Sequence, residues 1–132
     1  MARVISKDEA VKMVNDGDSI MFGGFLACGT PDTLIDTLVS SNVKDLHMIA
    51  ICTDYATRGV GKLIKNKQVK SVQASHIGTN EATQEQYIKK EIEIELITPL
   101  KMNSILLGLD NVVIEEIENG KFLVKSESFQ LI

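Results

Sequence analysis

The chain has 132 residues, a net charge of −4, 44% hydrophobic residues and 24% charged residues. That length and balance fit one soluble globular domain with a core of its own. The acidic balance, without any basic run, argues against nucleic acid as a partner, and no apolar run is long enough to span a membrane. No basic-apolar-small leader opens the chain, and the two cysteines, Cys28 and Cys52, lack metal-like spacing. A cytoplasmic location, reduced thiols and no bound metal are therefore expected. Trp is absent and aromatics are few, so Val, Ile, Leu and Met must build the core.

In chain order, Ser6-Lys7-Asp8-Glu9 is a capping box, in which Ser6 accepts from the Glu9 amide and Glu9 reaches back. Ala10, Val11 and Val14 then recur at helical spacing, and Asn15-Asp16-Gly17-Asp18 turns the chain. Ser19 to Phe22 reads as a first strand, apolar enough to be covered on both faces. Gly23-Gly24-Phe25-Leu26-Ala27-Cys28-Gly29 follows as a glycine-bearing loop. Thr30 is placed to cap the next helix, with Pro31 at its first position, where a missing N–H costs nothing. Leu34, Ile35, Leu38 and Val39 form that helix's inner face, and Ser40-Ser41-Asn42 closes it.

The second strand is Leu46 to Ile51, with His47 as a satisfied core or edge histidine, followed by Cys52-Thr53-Asp54 and a loop with Arg58, Gly59 and Gly61. Asp54 and Arg58 read as surface charge rather than ligand contacts. Lys62 to Lys65 is a helical turn and Val69 to Ser75 a third strand. His76-Ile77-Gly78-Thr79-Asn80 is a second polar loop at a strand end, and Glu81 to Lys90 a helix with Tyr87 and Ile88 inward. Ile92, Ile94 and Leu96 alternate with Glu91, Glu93 and Glu95, which predicts an edge strand whose glutamates face water rather than a metal. Further on, Asn119-Gly120 between apolar runs predicts a β-hairpin.

Helices alternating with strands predict the α/β class: a mostly parallel sheet flanked by helices, ending in a β-hairpin. A single domain over residues 1–132 is expected, with an α/β core at 1–97 and a hairpin tail at 98–132. Ligands of such sheets bind outside the carboxyl ends of the strands, where both glycine loops and Cys52-Thr53-Asp54 fall. The loop at 23–29 suits a phosphate, a carboxylate or a developing oxyanion, and equally a plain strand-to-helix turn. Its spacing is neither the dinucleotide G-x-G-x-x-G nor a P-loop.

The stretch Asp16-Gly17-Asp18-Ser19-Ile20-Met21-Phe22-Gly23-Gly24-Phe25-Leu26-Ala27-Cys28-Gly29-Thr30-Pro31 resembles the signature of the family I coenzyme A transferases. The likeness continues through Leu34-Ile35-Asp36, Gly59-Val60-Gly61-Lys62-Leu63-Ile64, Lys67-Gln68-Val69-Lys70 and Ala74 to Asn80, and ends with Glu91 to Leu96. It points to the α subunit of the acetate/butyrate–acetoacetate type. The resemblance implies transfer of coenzyme A, as substrate, between an acetyl- or butyryl-type acyl-CoA and a 3-oxoacid such as acetoacetate. It implies a glutamyl-CoA intermediate on a β subunit carrying Ser-Glu-Asn-Gly, a hetero-oligomer with two copies of each chain, and no catalytic residue in this chain. It also implies that Gly23, Gly24, Phe25, Leu26, Ala27, Cys28 and Gly29 contact coenzyme A. Cys28 is then a loop-lining residue rather than a thiol nucleophile, and His76 either lines the site or shapes its loop.

The likeness stops near residue 97. Family members continue with Gln-Gly-Thr-Leu, whose Gln is an oxyanion donor, and an Arg- and Gly-rich loop; here the chain reads Thr98-Pro99-Leu100-Lys101-Met102-Asn103. A fragment, an interrupted chain and a shortened relative all fit that reading. Glu118-Asn119-Gly120 matches the end of the nucleophile motif, but Ile117 precedes it where the motif has Ser, and a hairpin turn is the better reading. Two rivals stand beside the transferase: a non-catalytic interaction module, and a sugar-phosphate isomerase with Asp54 and Lys62 as its strand-end acid and base.

Overall fold

Two mainly apolar runs and two runs that mix polar with apolar residues become four parallel strands. The computed structural model describes the backbone of residues 3–106, 113–118, 121–125 and 130–131, and the side chains of residues 3–102. The chain divides into two compact units, Met1–Ile97 and Thr98–Ile132.

The first unit runs α1 (Lys7–Val11), β1 (Ser19–Met21), α2 (Asp32–Ser41), β2 (Leu46–Ile49), α3 (Gly61–Lys65), β3 (Val69–Ala74), α4 (Glu81–Ile88) and β4 (Glu93–Leu96). The sheet order is β1-β2-β3-β4, all parallel. Consecutive strands are neighbours, so right-handed crossovers carry α2, α3 and α4 to one face. The register row Ile20–Met48–Val72–Ile94 faces them. With Ile35, Leu38, Leu63 and Ile64 it forms one hydrophobic cluster. The adjacent row, Ser19–His47–Ser71–Glu93, lies on the other face. That face is polar and open, with His47 Nδ1 2.6 Å from Ser71 Oγ. The first strand is therefore not covered on both faces in this unit: Ser19 is exposed and Met21 half-buried.

Local signals set the helix ends. The capping box forms as expected, with Ser6 N donating to Glu9 Oε2 (2.8 Å) and Glu9 N to Ser6 Oγ (3.2 Å). That backbone donor, with help from the Ser6 hydroxyl, holds the Glu9 carboxyl below its ordinary pKa. Thr30 does not cap α2: Pro31 takes the cap position without a side-chain bond, and the buried Thr30 hydroxyl has no partner among the described residues. The glycine loop draws that hydroxyl against Gly24 instead, at the spot a Cβ there would occupy. Asn42, left-handed at φ 57, ends α2.

Two sequence expectations fail on α4 and β4. Tyr87 and Ile88 point outward, 53% and 78% exposed, while Thr83 and Gln86 are buried. The inward face of α4 carries a polar tie to α3: Gln86 Nε2 donates to Ile64 O at 2.7 Å, near the end of that helix. Ile92, just before β4, is buried and Ile94 packs against the core, but Leu96 is 65% exposed at the strand's end. Being at the sheet edge, β4 does turn Glu93 and Glu95 to the surface.

The second unit contains α5 (Pro99–Leu106) and an antiparallel sheet of β5 (Val113–Glu118), β6 (Lys121–Lys125) and β7 (Gln130–Leu131). Glu118 pairs with Lys121 in the β5–β6 register. The hairpin residues Asn119 and Gly120 lie outside the described residues.

Candidate active-site rim

At the carboxyl ends of β1, β2 and β3 three loops interlock. The first turns back on itself: Phe25 N donates to Cys28 O at 3.0 Å and Cys28 N to Phe25 O at 2.9 Å. Between them Leu26 and Ala27 both take left-handed backbone, at φ 49 and φ 60. Successive positive φ values make this a type I′ geometry, normally the province of Asn and Gly. For L-residues with a Cβ it costs on the order of 1–2 kcal/mol each.

The second loop holds that turn in place. Ala27 N donates to Asp54 Oδ1 at 3.0 Å, and Leu26 N to Cys52 Sγ at 3.4 Å. The Cys52 thiol donates in turn to Asp54 Oδ1 at 3.2 Å, and Val60 N donates to Asp54 Oδ2 at 3.0 Å. Asp54 is only 3% exposed, so the sequence reading of a surface charge is wrong for it. Burial pushes the Cys52 thiol pKa up, against the opposing pull of the Leu26 amide. Gly59 must be glycine: it has φ 64, and a Cβ there would run into the Asp54 carboxyl. Arg58 does not pair with Asp54; its backbone instead bridges to Tyr55.

The third loop closes on the second. Thr79 Oγ1 donates to Asp54 O at 2.7 Å, Asn80 Nδ2 to Thr53 O at 2.8 Å and Ser75 Oγ to Ile51 O at 2.7 Å. Asn80 is fully buried, and its Oδ1 also accepts from Thr83 N to cap α4. His76 is exposed, with its ring against Gly78.

This geometry narrows what the loop at 23–29 can do. The amides of Phe25, Leu26, Ala27 and Cys28 are all spent inside the chain. Among the described residues, those of Gly23, Gly24 and Gly29 have no partner. Outward the loop presents the Phe25 ring, 53% exposed, and the exposed Cys28 thiol. It is a shaped rim with a few free amides at its margins, not a ring of converging N–H groups. Lys62, the other residue an isomerase would need, is turned away to α2, 2.7 Å from Asp36 and 3.5 Å from Asp32. Among the described residues, no three His, Cys, Asp or Glu side chains are grouped to hold a metal.

Sequence reasoning placed the loop and missed its support. Asp54, Cys52, Thr79 and Asn80 are the residues that fix it. The available signal was three polar or small residues, Cys52-Thr53-Asp54, directly after an apolar strand end.

A parallel sheet with loops clustered at the carboxyl ends of its strands defines the class of α/β domain that binds ligands there. Residues 4–108 match the family model described as coenzyme A transferase, and the chain belongs to that family. It is 45% identical over 95 residues to the acetoacetyl-CoA:acetate/butyrate CoA transferase alpha subunit of Clostridium acetobutylicum, covering 72% of this chain and 44% of that protein. It is 40% identical over 95 residues to the acetate CoA-transferase subunit alpha of Escherichia coli, covering 72% of this chain and 43% of that one. The chain thus spans less than half the length of these relatives. The solved glutaconate coenzyme A-transferase from Acidaminococcus fermentans shares the fold, with TM-score 0.69 at 18% identity over 91% of this chain and 40% of that one.

Proposed function

We propose that this chain is the coenzyme-A-contacting part of a CoA-transferase α subunit. In this reading it works with a β subunit in the cytoplasm, as a hetero-oligomer with two copies of each. Coenzyme A moves between a short-chain acyl-CoA, acetyl or butyryl, and a 3-oxoacid such as acetoacetate. The covalent glutamyl-CoA intermediate forms on the β subunit. Coenzyme A is a substrate, and no bound cofactor is required.

One observation carries this division of labour. The carboxylate at the centre of the loop cluster, Asp54, is buried and occupied by three donors. At 3% exposure it is not presented to a thioester, whereas the Gly23–Gly29 rim beside it is open. The chain therefore brings a contact surface and leaves nucleophilic attack to its partner. The rim's unspent glycine amides suit a thioester oxygen as charge builds on it, or a pantetheine carbonyl. The names of the relatives above support the substrate class.

The test is reconstitution. Alone, the purified chain should give no acetyl-CoA:acetoacetate exchange while binding coenzyme A measurably by titration calorimetry. Added β subunit, carrying the Ser-Glu-Asn-Gly glutamate, should restore exchange. Robust exchange by the chain alone refutes the proposal.

A second reading has its own observation. Where family members carry the oxyanion Gln after the fourth strand, Pro99–Leu106 here forms a helix. A non-catalytic relative that keeps the fold as an interaction module would show stable association without coenzyme A affinity.

A further inference from the structure

We infer that Asp54 is a positioning residue for the rim: its carboxylate holds Leu26 and Ala27 in left-handed backbone and so fixes where Phe25 and Cys28 stand. The inference deepens the proposed function and rests on it only for the ligand, since the mechanical role of Asp54 follows from geometry alone.

The turn has no sequence reason to adopt its shape. Neither Leu26 nor Ala27 has the short polar side chain or the missing Cβ that favours positive φ. What compensates is outside the turn and below it. Asp54 Oδ1 takes the Ala27 amide, and the Cys52 thiol that takes the Leu26 amide is itself bonded to the same oxygen. One oxygen atom therefore gathers both tip amides, one directly and one through sulfur.

The carboxylate is held from every other side. Its second oxygen is bonded to Val60 N at the start of α3, and its backbone carbonyl to Thr79. Asp54 itself is left-handed, at φ 48. Gly59 leaves the space the carboxyl fills, and the position of a Gly59 Cβ would also lie 3.1 Å from the Ala27 Cβ. Rotating the Asp54 side chain away would break its bonds to Ala27, Cys52 and Val60, and at 3% exposure no bulk water stands ready to replace them. A turn that is unfavourable by itself and clamped from beneath has one position rather than several. That is what a rim needs to meet a ligand without reordering first.

The test uses the full chain and two readouts. Asp54→Ala removes both acceptor oxygens, whereas an Asn here would keep one that can still accept the Ala27 amide. With the chain folded, judged by its dispersed amide spectrum, the Ala27 amide should exchange with solvent about tenfold faster or more, and coenzyme A affinity should fall about tenfold. Adding Ala27→Gly, which takes φ 60 without steric cost, should return the left-handed coupling constant at residue 27 and recover at least threefold of the roughly tenfold lost affinity.

Unchanged Ala27 protection in Asp54→Ala overturns the inference, as does a folded double variant that recovers neither readout. Should Asp54→Ala not fold, the unaltered chain decides. Its Ala27 amide must exchange far more slowly than that of Gly29, and equal rates overturn the inference. If the unaltered chain shows no heat with coenzyme A, the functional reading fails, while the exchange arms still judge Asp54.

Discussion

Asn80 donates its side-chain amide to the Thr53 carbonyl at 2.8 Å while its own carbonyl caps α4 through Thr83 N at 3.3 Å. One buried side chain thus starts a helix and closes a neighbouring loop. Asn80→Ala removes both bonds and leaves a buried carbonyl and a buried N–H without partners. Urea unfolding should show a loss of about 2–4 kcal/mol. Asn80→Asp keeps the cap and loses the tie, setting two oxygens face to face. It should be destabilised too, while the Thr83 amide keeps its exchange protection.

Gly59→Ala meets two penalties at once, a positive φ and a collision with the Asp54 carboxyl. A loss of about 2–4 kcal/mol is expected. The damage should reach the Leu26–Ala27 turn, read as faster amide exchange there, although those residues are more than thirty positions away in sequence.

The two cysteines should react very differently. Cys28 is exposed, whereas Cys52 is 2% exposed and its thiol pKa is raised by burial. Limited iodoacetamide at neutral pH should alkylate Cys28 and spare Cys52, as peptide mass mapping would show. Saturating coenzyme A should slow the Cys28 reaction if the rim is its contact. No protection would count against the Gly23–Gly29 assignment.

Stability should decline in alkali in two steps of the same sign. The Cys52 thiol has a folded pKa above its ordinary 9.0, because burial disfavours the thiolate. Its contribution is complete below that value and is lost as pH rises through the folded pKa. Lys62, raised above 10.5 by its hydrogen bond to Asp36, behaves likewise at higher pH. Its partner Asp36 is 62% exposed, so after solvent screening the pair is worth about 0.5 kcal/mol or less. Cys52→Ala should flatten the first step and Lys62→Met the second, in thermal melts from pH 8 to 11. A melt that rises with pH across this range would contradict both assignments.

Much of this fold was legible because it is written in hydrophobic period. The runs at Ile20–Phe22, Leu46–Ile49 and Val69–Ala74 read as parallel strands with one face in the core, and the glycine loop sits where their ends require it. The failures share a cause. Reading Tyr87 and Ile88 inward assumed that a buried helix face is apolar, yet Thr83 and Gln86 are the buried residues of α4, and Gln86 donates to the Ile64 carbonyl of α3. Thr30 looked like a cap because the sequence could not show Gly24 beside it. Asp54 looked like surface charge because buried carboxylates are rare, and its main donor, Ala27, lies 27 residues earlier. The left-handed pair Leu26–Ala27 has no local signal at all; only the tertiary clamp explains it.

The strand order β1-β2-β3-β4 carries a consequence for synthesis. Each new strand docks beside the one made just before it, so pairing never waits for a distant partner, and loop-closure entropy stays small at every step. The unit can consolidate from its N-terminus while the ribosome is still extending it. The site follows another schedule. Cys52, Asp54 and Val60 can seat the Leu26–Ala27 turn once the segment through β2 and α3 is out. The loop around Thr53 stays unlatched until Asn80 emerges. A nascent chain cut short of Asn80 would hold a formed sheet edge and an unfinished rim, making the last tie of the site a checkpoint on translation rather than on collapse.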